Sequence, residues 1–104
     1  PGSMGSFSYI LIGKESGKES WYSTCHGAGR KMSRTSATKN LSPQEIIDDL
    51  KNKNILIKCD SLRGLAEEAP QAYKNIDEVV EVVCESGLSS KVIQLKPLAV
   101  IKGE

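Results

Sequence analysis

The stretch Ser42-Pro43-Gln44-Glu45-Ile46-Ile47-Asp48-Asp49-Leu50, with Ile55-Leu56-Ile57 shortly after it, holds both kinds of regular structure in close succession. Ser42 can cap a helix, Pro43 suits its first turn, and Glu45 occupies the capping-box position. Ile46, Ile47 and Leu50 then recur at helical spacing as one apolar stripe. Asn54 ends the helix, and Ile55-Leu56-Ile57 reads as a short buried strand. A helix passing straight into a strand predicts an α+β chain.

The pattern extends in both directions. Downstream, Ser61 opens a helical stretch from Leu62 to Ala69, which Pro70 stops. Asn75 with Glu78 offers another cap, and Ile76, Val79, Val80 and Val83 follow at helical spacing until Gly87. Val92 to Leu95 and Leu98 to Ile101 read as strands interrupted by Pro97, which argues for an edge or a bulge. Upstream, Phe7 to Ile12 reads as a strand between Gly5 and Gly13. Lys14 to Ser20 suits a hairpin loop, with Trp21 and Tyr22 returning as a second strand. Arg30 to Ala37 is a weaker helix, diluted by Ser33, Thr35 and Ser36. Residues 1–104 are therefore expected to form a single unit of mixed short strands with three to four helices.

Composition bounds the function. The chain has 104 residues, 38% hydrophobic and only 5% aromatic, which gives a lean core. Charged residues make up 26%, which excludes wholesale disorder. No apolar run approaches the ~18 residues of a membrane span, and no secretory signal is visible. The net charge is +1, but residues 1–40 carry six basic side chains against two acidic, and the remainder eight against eleven. The first part can meet a polyanion; the second reads as a solvated scaffold. Cys25, Cys59 and Cys84 are odd in number and widely spaced, with one histidine to help them, so neither a closed zinc site nor a disulfide framework is expected. Reduced thiols point to a cytoplasmic or nuclear setting. The opening Pro1-Gly2-Ser3-Met4 reads either as a vector remnant before a natural start or as the interior of a longer chain.

Cys25-His26-Gly27-Ala28-Gly29-Arg30 is the segment that suggests chemistry. Small residues after the only histidine allow close backbone approach to a ligand, and their amides can face a phosphate. A helix beginning just after Gly27 would add free N–H groups to an anion site. Arg30, Lys31, Arg34 and Lys39 follow without an intervening acid. His26 at the edge of such a site can act as a nucleophile or a general base. The same residues also fit a plain turn followed by a basic helix face.

CHGAGR, with Lys31-Met32-Ser33-Arg34 after it, closely resembles the signature of the RtcB RNA ligases. Four further segments are similar to that family in order: Pro1 to Gly5 with Ser8-Tyr9; Glu67 to Pro70 with Ala72-Tyr73-Lys74; Asp77 to Val80; and Leu95 to Leu98 with Val100 to Gly103. The resemblance covers Pro1 to Gly103. It places PGSMG in the family's interior and makes this chain roughly the last fifth of a ligase, with a long upstream portion absent.

The resemblance implies an enzyme that joins RNA 2′,3′-cyclic phosphate or 3′-phosphate ends to 5′-hydroxyl ends, using GTP and Mn2+, in tRNA splicing and RNA repair. His26 matches the nucleophile that carries GMP. Gly27, Ala28 and Gly29 match positions against the nucleotide, and Gly2, Ser3 and Met4 a phosphate- and ribose-side segment. Ser8 and Lys102 match guanine contacts, and Tyr73 an aromatic position beside the base. Arg30 and Arg34 are candidates for RNA phosphate or for a solvated face. The family's manganese ligands all lie upstream, so none is expected here; the segment alone is expected to be inactive, and its partners to be RNA, such as tRNA halves, and the upstream part of the same polypeptide. Two other readings are a module that binds GTP or RNA phosphate without nucleotidyl transfer, and an interaction piece whose lean core a partner completes.

Overall fold

The structure, a computed structural model that describes residues 1–103, runs β1 (Ser8–Gly13), α1 (Arg34–Asn40), α2 (Pro43–Asn52), β2 (Leu56–Cys59), α3 (Leu62–Glu67), α4 (Ile76–Glu85), β3 (Ser89–Leu95) and β4 (Ala99–Lys102). Short 3-10 turns occupy Glu15–Ser20 and Pro70–Ala72. The fold is α+β, as the sequence predicts. Each α-helix starts on a polar cap. The Ser33, Ser42 and Ser61 hydroxyls accept from the N–H groups of Ser36, Glu45 and Gly64, and the Asn75 side chain accepts from that of Asp77. Each such cap contributes about 1 kcal/mol. Gly87, at φ +78°, ends α4 in the left-handed conformation that glycine adopts at least cost.

The strands form two separate pairs. β1 runs antiparallel to β3, with Ser8 opposite Leu95 and Gly13 opposite Ser89. Ile10 faces Ile93 while Leu11 faces Lys91, so Val92 is an extra residue that bulges β3. β2 runs parallel to β4, with Leu56 beside Ala99 and Cys59 beside Lys102. The strands on either side of Pro97 thus belong to different sheets, and the proline sits where the chain leaves one ladder for the other.

The core is small and lies between α2, α3 and β2. Met4, Ile46, Leu50, Ile55, Leu65, Ala66 and Ala69 form one buried cluster. Ile55 is buried, Leu56 exposed and Ile57 half-buried, so the segment expected to be a short buried strand is covered on one face only. On the β1–β3 ribbon, Ile10, Ile12, Val92 and Ile93 are each at least half exposed. No described helix is long and apolar enough to cross a membrane.

Two local expectations fail. Trp21 and Tyr22 do not return as a strand; both sit at positive φ, 57° and 56°, just after the first 3-10 turn, and the partner of β1 is β3. The turn is held by hydroxyls, Ser20 donating to the Gly17 and Ser23 carbonyls and Ser16 to the Gly87 carbonyl. The helix expected from Arg30 begins only at Arg34, because Ser33 caps it there.

Leu50 is fully buried at the centre of the core. Leu50→Ala should destabilise the protein by about 2–5 kcal/mol, read as a shift in the urea unfolding midpoint.

Candidate functional site

The glycine-rich loop is pinned at its downstream end. Arg30 and Tyr73 form an antiparallel bridge. Around it the Lys31 and Met32 N–H groups donate to the Ala72 carbonyl at 3.0 and 3.3 Å, and the Lys74 N–H donates to the Gly29 carbonyl at 2.9 Å. Gly29 has φ +75°, a conformation that L side chains strain to adopt. No helix begins just after Gly27: the chain stays irregular until α1 at Arg34, so this loop carries no helix N-terminus. Any anion held here meets loop amides and side chains instead.

The loop lies against the start of the chain. A Cβ on Gly27 would come within 3.6 Å of the Pro1 carbonyl oxygen. The Gly2 N–H donates to Ser8 Oγ at 2.9 Å, and the Ser3 N–H donates to Ser6 Oγ at 2.7 Å. A Cβ on Gly2 would sit 1.9 Å from the Phe7 carbonyl oxygen, so this tight turn admits only glycine without moving. The opposite wall comes from far along the chain. β4 delivers Lys102, half-buried rather than freely solvated, through its pairing with Cys59.

These pieces enclose a cavity of about 250 Å³ lined by Pro1, Gly2, Ser3, His26, Gly27, Ala28, Gly29, Glu68, Tyr73 and Lys102. Of the residues singled out from sequence, Gly2, Ser3, His26, Gly27, Ala28, Gly29, Tyr73 and Lys102 therefore converge. His26 sits exposed at the rim, which leaves its ring accessible. Met4 and Ser8 do not line the cavity. The Met4 side chain is 2% exposed within the core, so only its backbone can face a ligand. The Ser8 hydroxyl supports the Gly2 turn from behind. A larger opening of about 670 Å³, lined by Lys31, Lys74, Asn75, Glu78 and α4 valines, holds none of these site residues.

Pro1 and Glu68 are the lining residues that sequence reasoning did not single out, and Glu68 is the one with a charged side chain. Its carboxylate accepts from the Tyr73 hydroxyl and lies 3.4 Å from Arg30 Nη1. Arg30 also donates from Nη2 to the Glu67 carbonyl at 2.6 Å, from Nε to the Met32 carbonyl at 3.0 Å, and from Nη1 to the Tyr73 hydroxyl at 3.1 Å. Its guanidinium carbon stands 4.9 Å from the Tyr73 ring centre. Arg30 is thus an internal tie rather than a free phosphate contact, whereas Arg34 is largely exposed. The available sign was electrostatic: a carboxylate at the C-terminal end of α3 opposes the helix dipole and needs a cation nearby. Among the described residues no three His, Cys, Asp or Glu side chains converge, so these residues do not fit a manganese site. Cys25, Cys59 and Cys84 are free thiols, each half-buried.

Residues 1–103 match the family model described as tRNA-splicing ligase RtcB. The chain belongs to the RtcB family. It is 50% identical over 104 residues to a tRNA-splicing ligase RtcB of Methanopyrus kandleri, covering 99% of this chain and 10% of that protein. Against the Pyrococcus horikoshii tRNA-splicing ligase RtcB the identity is also 50%, over 99% of this chain and 12% of the other. An RNA-splicing ligase RtcB homolog 1 of Entamoeba histolytica is 48% identical over 98% of this chain and 20% of its own length. This RtcB-family chain thus spans between a tenth and a fifth of these relatives.

The Tyr73 phenol is pushed above its usual value of 10.0, first by burial and then by its bond to the Glu68 carboxylate. Both causes favour the neutral, donating phenol in the folded state. The resulting stabilisation is fully present below pH 10 and is lost as pH rises through the raised folded value. Denaturant titrations across that alkaline range should show stability falling with pH in the wild type, and a shallower fall in Tyr73→Phe.

Proposed function

We propose that this chain is the nucleophile-bearing C-terminal part of a GTP- and manganese-dependent RNA ligase. The whole enzyme would join RNA 2′,3′-cyclic phosphate or 3′-phosphate ends to 5′-hydroxyl ends, as in tRNA splicing and RNA repair, through a histidine–GMP intermediate. The observation that carries the reading is the convergence of His26, the Gly27–Gly29 loop, Gly2, Ser3, Tyr73 and Lys102 on one cavity. Family membership and the names of the relatives support the ligase class.

The chain's own residues divide the work as follows. A His26 ring nitrogen forms a bond to the α-phosphorus of GTP, and pyrophosphate leaves. Gly27 to Gly29 admit the phosphates close to the backbone, where amide dipoles face negative charge. Lys102 donates to the guanine carbonyl oxygen, at the position where adenine carries an amino group. The RNA 3′-phosphate then takes GMP from His26, and the 5′-hydroxyl displaces GMP to close the strand. Manganese would polarise the phosphate in the whole enzyme. Its ligands are not among the residues described here, and by itself this chain should not be labelled by GTP.

Incubation of the full-length protein with labelled GTP and manganese, followed by denaturation, tests the reading. Acid-labile label should be retained by the wild type and lost completely in His26→Ala and His26→Gln. Reversible GTP binding without covalent label would instead favour a module that binds without transfer. In the same assay Lys102→Ala should weaken nucleotide recognition by ~1.5–3 kcal/mol and narrow the preference for GTP over ATP, with folding intact. Wild-type GTP dependence and an unchanged GTP/ATP preference in Lys102→Ala would remove Lys102 from the base site.

A further inference from the structure

We propose that Glu68 is a positioning residue for His26: by holding Arg30 and Tyr73 together, it fixes the glycine loop that carries the histidine. The proposal rests on the reading of this cavity as a nucleotide site, and it assigns a role to a carboxylate that the reading alone leaves unexplained. A carboxylate is an unexpected wall for a cavity that is to receive a nucleotide triphosphate, because like charges repel. Here it is neutralised from within. One oxygen faces Arg30 Nη1 at 3.4 Å and Arg34 Nε at 3.8 Å, and the other accepts from the Tyr73 hydroxyl. Each oxygen already faces a donor of the protein, so the carboxylate acts on the protein itself.

The geometry forms a closed triangle. Arg30 meets Glu68 through its charge and Tyr73 through both the hydroxyl and the ring face, while Tyr73 donates to Glu68. The triangle stands at the downstream end of the loop, next to the Gly29 carbonyl that receives the Lys74 N–H. Arg30 and Glu68 side chains are only 22% and 27% exposed. Removing one partner therefore strands the other in a partly dry setting, from which it must move. Movement of Arg30 carries Gly29 with it, and the path from His26 to Gly29 changes.

The test uses the full-length protein with Glu68→Gln, Arg30→Gln, the double variant, and Tyr73→Phe. Two readouts are taken: single-turnover guanylylation against GTP concentration, normalised to folded protein, and the diethylpyrocarbonate modification rate of the His26 peptide by mass spectrometry. Glu68→Gln should slow labelling at saturating GTP by about tenfold or more, with a far smaller change in half-saturating GTP. The double variant should be no slower than the slower single, because both break one tie. His26 modification should change at least about threefold in the same variants. Tyr73→Phe, which deletes one hydroxyl, should move both readouts in the same direction and keeps the test open if Glu68→Gln does not fold. Wild-type values for Glu68→Gln in both readouts, or losses that multiply in the double variant, overturn the proposal. If the wild type takes no label, the GTP reading falls while the His26 modification rates still decide the role of Glu68.

Discussion

The Arg30 guanidinium is the tie on which the arrangement depends. A guanidinium presents five N–H donors in a rigid plane, and this one reaches the Met32 and Glu67 carbonyls, the Glu68 carboxylate and the Tyr73 hydroxyl. Those partners belong to the loop after His26, to the last residue of α3 and to the segment joining α3 to α4. No single apolar contact here could fix both position and orientation, because apolar contact has no direction. A lysine would supply charge without the fork, so it would not replace Arg30.

Around that tie, order comes from two sources of different range. Serine and asparagine caps define the helices locally. The two strand pairs then bring distant residues to one place: β1 with β3 from opposite ends of the chain, and β2 with β4 to carry Lys102 toward the loop. The buried cluster lies beneath, between α2, α3 and β2, and the polar ties act at the cavity rather than in that cluster.

The sequence was legible where a local rule is strong. Ser42-Pro43, Ser61, Asn75 and Gly87 mark helix ends by their own chemistry, and each marks one in the structure. The segment from Lys14 to Tyr22 was not legible, because its turn rests on serine hydroxyls and on a bond to Gly87 far away, and leaves no periodic trace. One wall of the cavity, His26 with Gly27 to Gly29, was legible from residue chemistry; the other walls were legible only through resemblance. That resemblance pointed to Met4 and Ser8 as well, and their side chains turned out to support the site from the core and from behind the Gly2 turn. Glu68 escaped notice because a side chain's partner across a fold is not written in its spacing.

The parallel pairing of β2 with β4 also makes the cavity a product of the whole fold. Its two strands are separated by two helices and β3, so the pairing closes a long loop, and contacts elsewhere in the fold must offset the entropy of that closure. Lys102 reaches the cavity only when this closure is complete, whereas His26 and the glycine loop belong to an earlier stretch of the chain. A ligand that touched both walls would therefore meet them together only in the folded chain. Such a ligand would bind the folded chain and not the unfolded one, and would add its binding free energy to the stability of the fold.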